Sequence, residues 1–314
     1  MNEIQRKIHT LQSNIERIIK GKSDVVRLTI VTLLGRGHLL IEDVPGVGKT
    51  TLGHALARSL SLEFRRIQFT SDLLPSDILG VTVYNQERHS FEFKPGPVFA
   101  NVLLADEINR STPKAQSSLL EVMNEGQVSI DSHTYRLPRP FMVIATQNPF
   151  EHHGTYPLPE SQLDRFMLRI QIGYPDPEDE KTILKSLRPH HTMDDIQPVL
   201  SGQEVEELQR EADNVKVEDS MVDYLLEITQ ATRSSSLLNL GVSPRGGLAL
   251  QKAAQAHALL DGRTYCIPDD IKRLAPLVFG HRVVVNADLN GFGSRRERAE
   301  QIIRDLLEQI PVPL

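Results

Sequence analysis

Asp43-Val44-Pro45-Gly46-Val47-Gly48-Lys49-Thr50 is the stretch on which the reading of this chain turns. The apolar run His38-Leu39-Leu40-Ile41 precedes it, as expected of a strand buried on both faces. Leu52, Ala55, Leu56 and Leu60 follow at helical spacing. A glycine-rich turn between a buried strand and a helix is the setting in which backbone amides form an anion-binding nest. Gly46 and Gly48 permit the turn, and the helix N-terminus adds partial positive charge. Lys49 is placed to reach the β- and γ-phosphates of a nucleotide, and the Thr50 hydroxyl to ligate Mg²⁺, with Thr51 directly behind. The pattern G-x-x-x-x-G-K-[ST] begins with glycine, whereas Asp43 stands in that place here. No physical role for Asp43 is legible from its neighbours.

Further downstream, Asn101-Val102-Leu103-Leu104-Ala105 ends in Asp106-Glu107. An acidic pair closing a buried strand, behind a phosphate loop, suits a metal ligand (Asp106) and a base that activates water (Glu107). The next apolar strand, Phe141–Thr146, ends in Gln147-Asn148-Pro149. Asn148 there either orients the attacking water or caps a turn before proline. Arg165, in Leu163-Asp164-Arg165-Phe166, carries a planar fork suited to phosphate. It reads as a finger reaching a neighbouring subunit's nucleotide, or as an ion pair with Asp164 or another acid. Arg245 opens a helix behind Ser243-Pro244. A cation at a helix start is unfavourable, which fits either an approaching phosphate or a structural salt bridge.

Outward from these motifs, strands expected at Phe64–Phe69, Asn101–Ala105, Phe141–Thr146 and Phe166–Ile172 alternate with helices such as Pro113–Asn124, the pattern of a parallel α/β sheet. Val81–Val98 and Val128–Leu137 read as hairpins with polar tips, Gln86-Glu87-Arg88-His89 and Asp131-Ser132-His133. Ile4, Ile8, Leu11, Ile15 and Ile18 predict an amphipathic first helix closed by Gly21, and a second runs from about Ser23 to Leu34. Gly173-Tyr174-Pro175-Asp176-Pro177 reads as a linker. Only helices are expected beyond it: Glu178–Leu187, Gly202–Asp213, Ser220–Arg233, Leu248–Asp261 and Pro268–Phe279. The expected organisation is an α/β domain over residues 1–174 and a smaller all-helical domain over 178–314.

Composition narrows the class. The 314 residues are 39% hydrophobic and 24% charged, a globular profile. No run reaches the roughly 20 apolar residues that span a bilayer, and no signal peptide is read at the N-terminus. A single cysteine, Cys266, fits a reducing, cytoplasmic compartment and reads as a buried, unreactive thiol. The net charge of −6, without a basic cluster, counts against a duplex-DNA binder. Adjacent His152 and His153 lack the spacing and partners of a metal site.

Taken together, Glu42–Thr50, Asp106-Glu107-Ile108-Asn109-Arg110, Ala145-Thr146-Gln147-Asn148-Pro149, Pro159–Phe166 and Ser243-Pro244-Arg245 resemble the motifs of MoxR-type AAA+ ATPases, in order and over nearly the whole chain. The resemblance implies an AAA+ P-loop domain, with a central parallel sheet flanked by helices, followed by a helical lid. It implies ATP and Mg²⁺ as ligands, with Asp43, Val44, Pro45, Gly46, Val47, Gly48, Lys49, Thr50 and Thr51 around the nucleotide. Asn148 would be sensor 1, Arg165 the finger and Arg245 sensor 2, and the hairpins would be the inserts that mark the clade. It further implies a homo-oligomeric ring, usually a hexamer. Its clients would be proteins, with partners carrying von Willebrand factor A domains. A DNA-acting motor and a nucleotide-controlled binding module with little turnover are the rival readings.

Overall fold

The computed structural model describes residues 3–131, 133–149, 154–185, 196–286 and 295–313. His152, His153, the tip residue Ser132 and the expected helix end at Leu187 lie outside them. Two helices lead the chain, α1 (Glu3–Glu16) and α2 (Ser23–Leu34). There follow β1 (Leu39–Glu42), α3 (Lys49–Ser59), β2 (Phe64–Gln68), α4 (Pro75–Leu79), the hairpin β3 (Gly80–Asn85) and β4 (Ser90–Pro95), and β5 (Val102–Asp106). Next come α5 (Pro113–Glu125), the hairpin β6 (Gln127–Ile130) and β7 (His133–Arg136), β8 (Met142–Gln147), α6 (Glu160–Leu163) and β9 (Leu168–Ile170). The rest comprises α7 (Pro177–Lys185), α8 (Gly202–Asp213), α9 (Asp219–Ser234), β10 (Leu238–Leu240), α10 (Pro244–Leu260), α11 (Pro268–Phe279), β11 (Val284–Val285) and α12 (Arg295–Gln309).

The central sheet has five strands in the order β2-β5-β8-β1-β9, every pair parallel. Residues of β1 and β5 are buried on both faces, because helices cover the sheet above and below. Leu39, Ile41, Leu104 and Ile144 join α1, α2 and α3 in one core, while Leu40, Leu103, Ala105 and Val143 face α5 in another. Truncating one of these leucines or isoleucines to alanine costs about 2–5 kcal/mol. Parallel strands all end on the same edge, so the loops after β1, β5 and β8 converge there.

His38 anchors the start of β1. Its Nδ1 accepts from the Val143 amide at 3.0 Å, and its Nε2 lies 3.0 Å from the Met123 carbonyl near the end of α5. That pairing requires the neutral ring with its proton on Nε2, and burial pulls the imidazole down to about 4.

The helical region departs from expectation in details. β10 and β11 form a short antiparallel pair, too brief for alternation to reveal. The final helix α12 was not anticipated: Ala299, Ile302, Ile303 and Leu307 are buried at helical spacing within a heavily charged sequence. α1 ends at Glu16, before the left-handed Gly21 at φ 66°. The leading helices also touch the lid: Gln209 Nε2 donates to the Leu33 carbonyl at 2.7 Å, and Arg27 pairs with Asp261. Cys266 is buried, and burial pushes its thiol up to about 12. No helix among the described residues is long and apolar enough to cross a membrane.

The hairpins are polar at their turns but aromatic on their flanks. Tyr84 and Phe91 meet edge to face and are exposed. Phe93 of β4 stacks on Tyr135 of β7, with ring centroids 4.2 Å apart, which joins the two hairpins.

Candidate functional site

The turn after β1 needs its glycines for backbone reasons. Gly46 and Gly48 have φ of 88° and 95°, and a Cβ on either would meet nothing within 4 Å. The left-handed torsion, rather than space, excludes other residues. Gly48 is the N-cap of α3, so the amides around it point outward from a helix start. Lys49 Nζ donates to the Asp43 and Val44 carbonyls at 2.8 and 3.0 Å. Burial lowers the proton affinity of this ammonium, and the acids Asp43, Asp106 and Glu107 oppose that effect.

Pro45, Gly46, Gly48, Lys49, Thr50, Thr51, Asp106, Glu107 and Asn148 line one cleft of about 420 Å³. Val44 contributes its carbonyl, whereas Val47 packs against the core. The Asp43 carboxylate points away from the cleft, toward the backbone that follows β9. Its Oδ2 accepts from the Ile172 and Gly173 amides at 2.7 Å each, and its Oδ1 from the Val44 amide at 2.8 Å.

Four residues that sequence reasoning did not single out hold the two acids, and two of them, Arg66 and Gln68, line the cleft. Thr146, on β8, donates to Asp106 Oδ1 at 2.6 Å and accepts from the Glu107 amide at 2.9 Å. One hydroxyl thereby fixes both acids. Arg66 donates to Asp106 Oδ2 through Nη2 at 2.6 Å and Nε at 3.1 Å. Gln68 Nε2 donates to Glu107 Oε2 at 2.6 Å, and Arg110 lies 3.2 Å from the same oxygen. Gln68 meets this pair because β2 runs beside β5 in the register Gln68↔Asp106. Glu107 is left-handed at φ 55°, a torsion that costs a non-glycine residue of order 1–3 kcal/mol and gathers at functional sites. The oxygens of Thr50 and Asp106 are hard donors that suit Mg²⁺, so the donor set fits the metal that the motifs imply.

Behind the loop, Glu42 is buried. Gln147 Nε2 donates to its Oε1, and Arg169 and Arg296 lie 3.5 Å from its Oε2. Arg296 belongs to α12 and also pairs with Glu300 at 2.9 Å, so the C-terminal helix is fastened to the strand that carries the loop.

Arg165 and Arg245 do not line the cleft. Arg165 Nη1 donates to the Leu120 carbonyl, and Arg245 Nη2 to Asn124 Oδ1, both on α5. Burial, then the nearby Arg245, lower the proton affinity of Arg165, while Glu121 and Glu125 favour its charge. Among the described residues neither arginine is ion-paired with a carboxylate. Asp164, the acid adjacent to Arg165, is already taken: its Oδ1 accepts from Arg282 Nε at 2.8 Å and its Oδ2 from the Ser243 hydroxyl at 3.0 Å. Ser243 also caps α10, accepting from the Gly246 amide at 3.2 Å. The guanidinium of Arg282, buried and pulled down to about 10 chiefly by desolvation, donates to the Asp164, Phe166 and Met167 carbonyls as well. One acid and one arginine therefore hold the segment bearing Arg165 to the helix bearing Arg245.

A different cluster, His257, Asp261 and Asp270, brings three potential ligand atoms within 4.8 Å. Arg263 Nη1 and Nη2 donate to the two oxygens of Asp270 at 2.7 and 2.6 Å, and Arg27 pairs with Asp261. Its negative charge is spent on structural pairing.

Residues 38–168 match the family described as "ATPase family associated with various cellular activities (AAA)", and residues 230–306 match the "AAA lid domain". An uncharacterized protein of Bacillus subtilis, YeaC, is 49% identical over 96% of this chain and 93% of its own length. The protein named Chaperone MoxR1 of Mycobacterium tuberculosis is 45% identical over 90% of this chain and 77% of its own. A crystal structure from Cytophaga hutchinsonii, provisionally named an ATPase, superposes with a TM-score of 0.90 at 38% identity, covering 99% of this chain and 96% of the other. In sequence, in fold and in the grouping of its motif residues, the chain belongs to the MoxR-type AAA+ ATPases.

Proposed function

We propose that this protein is a Mg²⁺-dependent ATP hydrolase that works as a ring to remodel, assemble or activate partner proteins, each active site being completed by an adjacent copy. The observation that carries this reading is the division of the motif residues. Nine line one cleft, while two arginines without carboxylate partners among the described residues rest near each other on α5. A pair of cations spared from ion pairing suits an incoming phosphate.

Lys49 and the amides of the loop hold the β- and γ-phosphates. Thr50 and Asp106 are the protein oxygens for Mg²⁺, which when bound supplies charge neutralisation between those phosphates. Glu107 accepts a proton from water as its oxygen bonds to the γ-phosphorus and the bond to ADP breaks. Asn148 orients that water. Arg165 and Arg245 of the adjacent copy offset the charge on the transferring group. Movement between residues 1–174 and 178–314 then carries the effect of hydrolysis outward, and the exposed aromatic flanks of the joined hairpins offer a surface to a client.

The name of the mycobacterial relative supports a chaperone-like role, and the resemblance supports a hexamer and partners with von Willebrand factor A domains, while the single cysteine Cys266 suits a cytoplasmic setting. The decisive experiment mixes Arg165→Ala with Lys49→Ala subunits. Each is inactive alone, and mixed rings regain hydrolysis where an intact loop meets an intact arginine. Mixtures no more active than either parent, in assemblies shown by light scattering to be mixed, overturn the shared site.

A further inference from the structure

The departure at Asp43 has a physical use. The residue is buried, with 6% of its surface exposed, and its torsion is not left-handed, since it is absent from the positive-φ residues Arg36, Ser61, His89, Glu107 and Asp131. Backbone conformation therefore does not demand glycine here. The side chain reaches across to the backbone where the sheet hands the chain to the lid. Asp43 Oδ2 accepts from the amides of Ile172 and Gly173 at 2.7 Å each, after the end of β9 at Ile170 and before α7 begins at Pro177. Gly173 is left-handed at φ 68°, and the next carbonyl, that of Tyr174, accepts from Lys22 Nζ at 2.6 Å. A carboxylate accepting several backbone amides makes strong, charge-assisted bonds. The main-chain carbonyl of the same residue accepts from Lys49 Nζ at 2.8 Å, the ammonium assigned above to the phosphates. One residue thus touches the phosphate-seeking lysine with its backbone and the interdomain turn with its side chain.

We infer that Asp43 is a positioning residue that couples occupancy of the phosphate loop to the backbone at 172–173. When Lys49 turns from the Asp43 and Val44 carbonyls to a phosphate, the peptide joining 43 to 44 loses a charged donor. The carboxylate on that peptide transmits its readjustment to the two amides at the start of the linker. This rests on the reading of the cleft as a nucleotide site. A glycine at position 43 would leave the nest intact and sever the link.

The test compares wild type, Asp43→Gly and Asp43→Asn. Binding of ADP with Mg²⁺ is measured by titration with a fluorescent ADP analogue, amide exchange over 170–177 by mass spectrometry with and without ADP, and hydrolysis as kcat and KM. In wild type the 172–173 amides are protected, and their exchange changes severalfold on adding ADP. In both variants ADP binds within roughly threefold of wild type, because the nest amides remain. Exchange at 172–173 is roughly tenfold faster, from loss of a charge-assisted bond, and no longer responds to ADP. Hydrolysis falls in kcat rather than in KM. A wild type that binds ADP with no change at 172–173, or a glycine variant that keeps the change, overturns the coupling. Asparagine keeps the shape of the side chain, so it serves if the glycine variant does not fold. If wild type takes up no nucleotide, the reading of the cleft falls first, an outcome distinct from binding without a response.

Discussion

The phosphate-loop face and the arginine face are built by opposite means. On the first, strand ends β1, β5 and β8 deliver their residues side by side, and each functional group lies within a few positions of the strand that places it. On the second, Arg165 and Arg245 are brought together by Asp164, Ser243 and Arg282, and rest on Leu120 and Asn124 of α5. The first face takes its shape from adjacent parallel strand ends. The second depends on the pairing of Asp164 with the buried Arg282, so a single distant substitution can misplace it.

The largest expected effect tests whether the second face is catalytic at all. Arg165→Ala should lower hydrolysis by about 10³–10⁵, the range for transition-state arginines, with ATP affinity nearly unchanged in a binding titration. A loss below tenfold would return Arg165 to a structural role. Glu107→Gln tests the first face alone. Turnover should drop about 10²–10⁴ while ATP stays bound, giving a trap suited to capturing clients. Loss of ATP binding in that variant would show Glu107 to be structural.

Arg282→Lys then sharpens the contrast. Lysine keeps a charge for Asp164 but loses the fork that also serves the carbonyls of Asp164, Phe166, Met167 and Val278. Hydrolysis should fall roughly tenfold, and ATP affinity should hold. If affinity fell equally, the two faces would not be separable.

The smallest effect concerns the strand that supports the first face. The folded value of His38 is about 4, depressed below the ordinary 6.5 by burial. Protons therefore bind the unfolded chain first as pH falls. The contribution is complete above pH 6.5 and is lost progressively down to pH 4, amounting to roughly 3 kcal/mol for such a shift. Urea unfolding across that window should show the slope, and His38→Gln should flatten it. An unchanged slope in the variant would assign the acid sensitivity to other groups.

The same contrast explains what could be read beforehand. The parallel sheet, the loop, Asp106, Glu107 and Asn148 were legible because each motif is contiguous and its strand is uniformly apolar. Arg66 and Gln68 were not: β2 has the polar alternation of a solvated edge strand, and only the strand order reveals its acidic neighbours. Thr146 lay inside a quoted motif, but its two hydrogen bonds require knowing that β8 lies beside β5. Arg282 had no local signal, since its partner Asp164 is 118 positions away. The alternative pairing of Arg165 with Asp164 is absent for the same reason, since Asp164 is taken by Arg282 and Ser243. No role for Asp43 is legible from its neighbours because its partners at 172 and 173 are equally remote in sequence.

One helix joins the two faces. α5 starts just after the turn Ile108–Arg110 that follows Glu107, and Gln116 Nε2 fastens it to the Ile108, Ser111 and Tyr156 carbonyls. Its other end holds Arg165 and Arg245, contacts His38, and continues through Gly126 into the second hairpin. At 1.5 Å per residue it is a strut of about 20 Å. In a closed ring, one end of each strut would follow Glu107 of its own copy while the other would present arginines to the next copy. The copies would then be wired in series, and a displacement of this strut along its axis would set the order in which they fire.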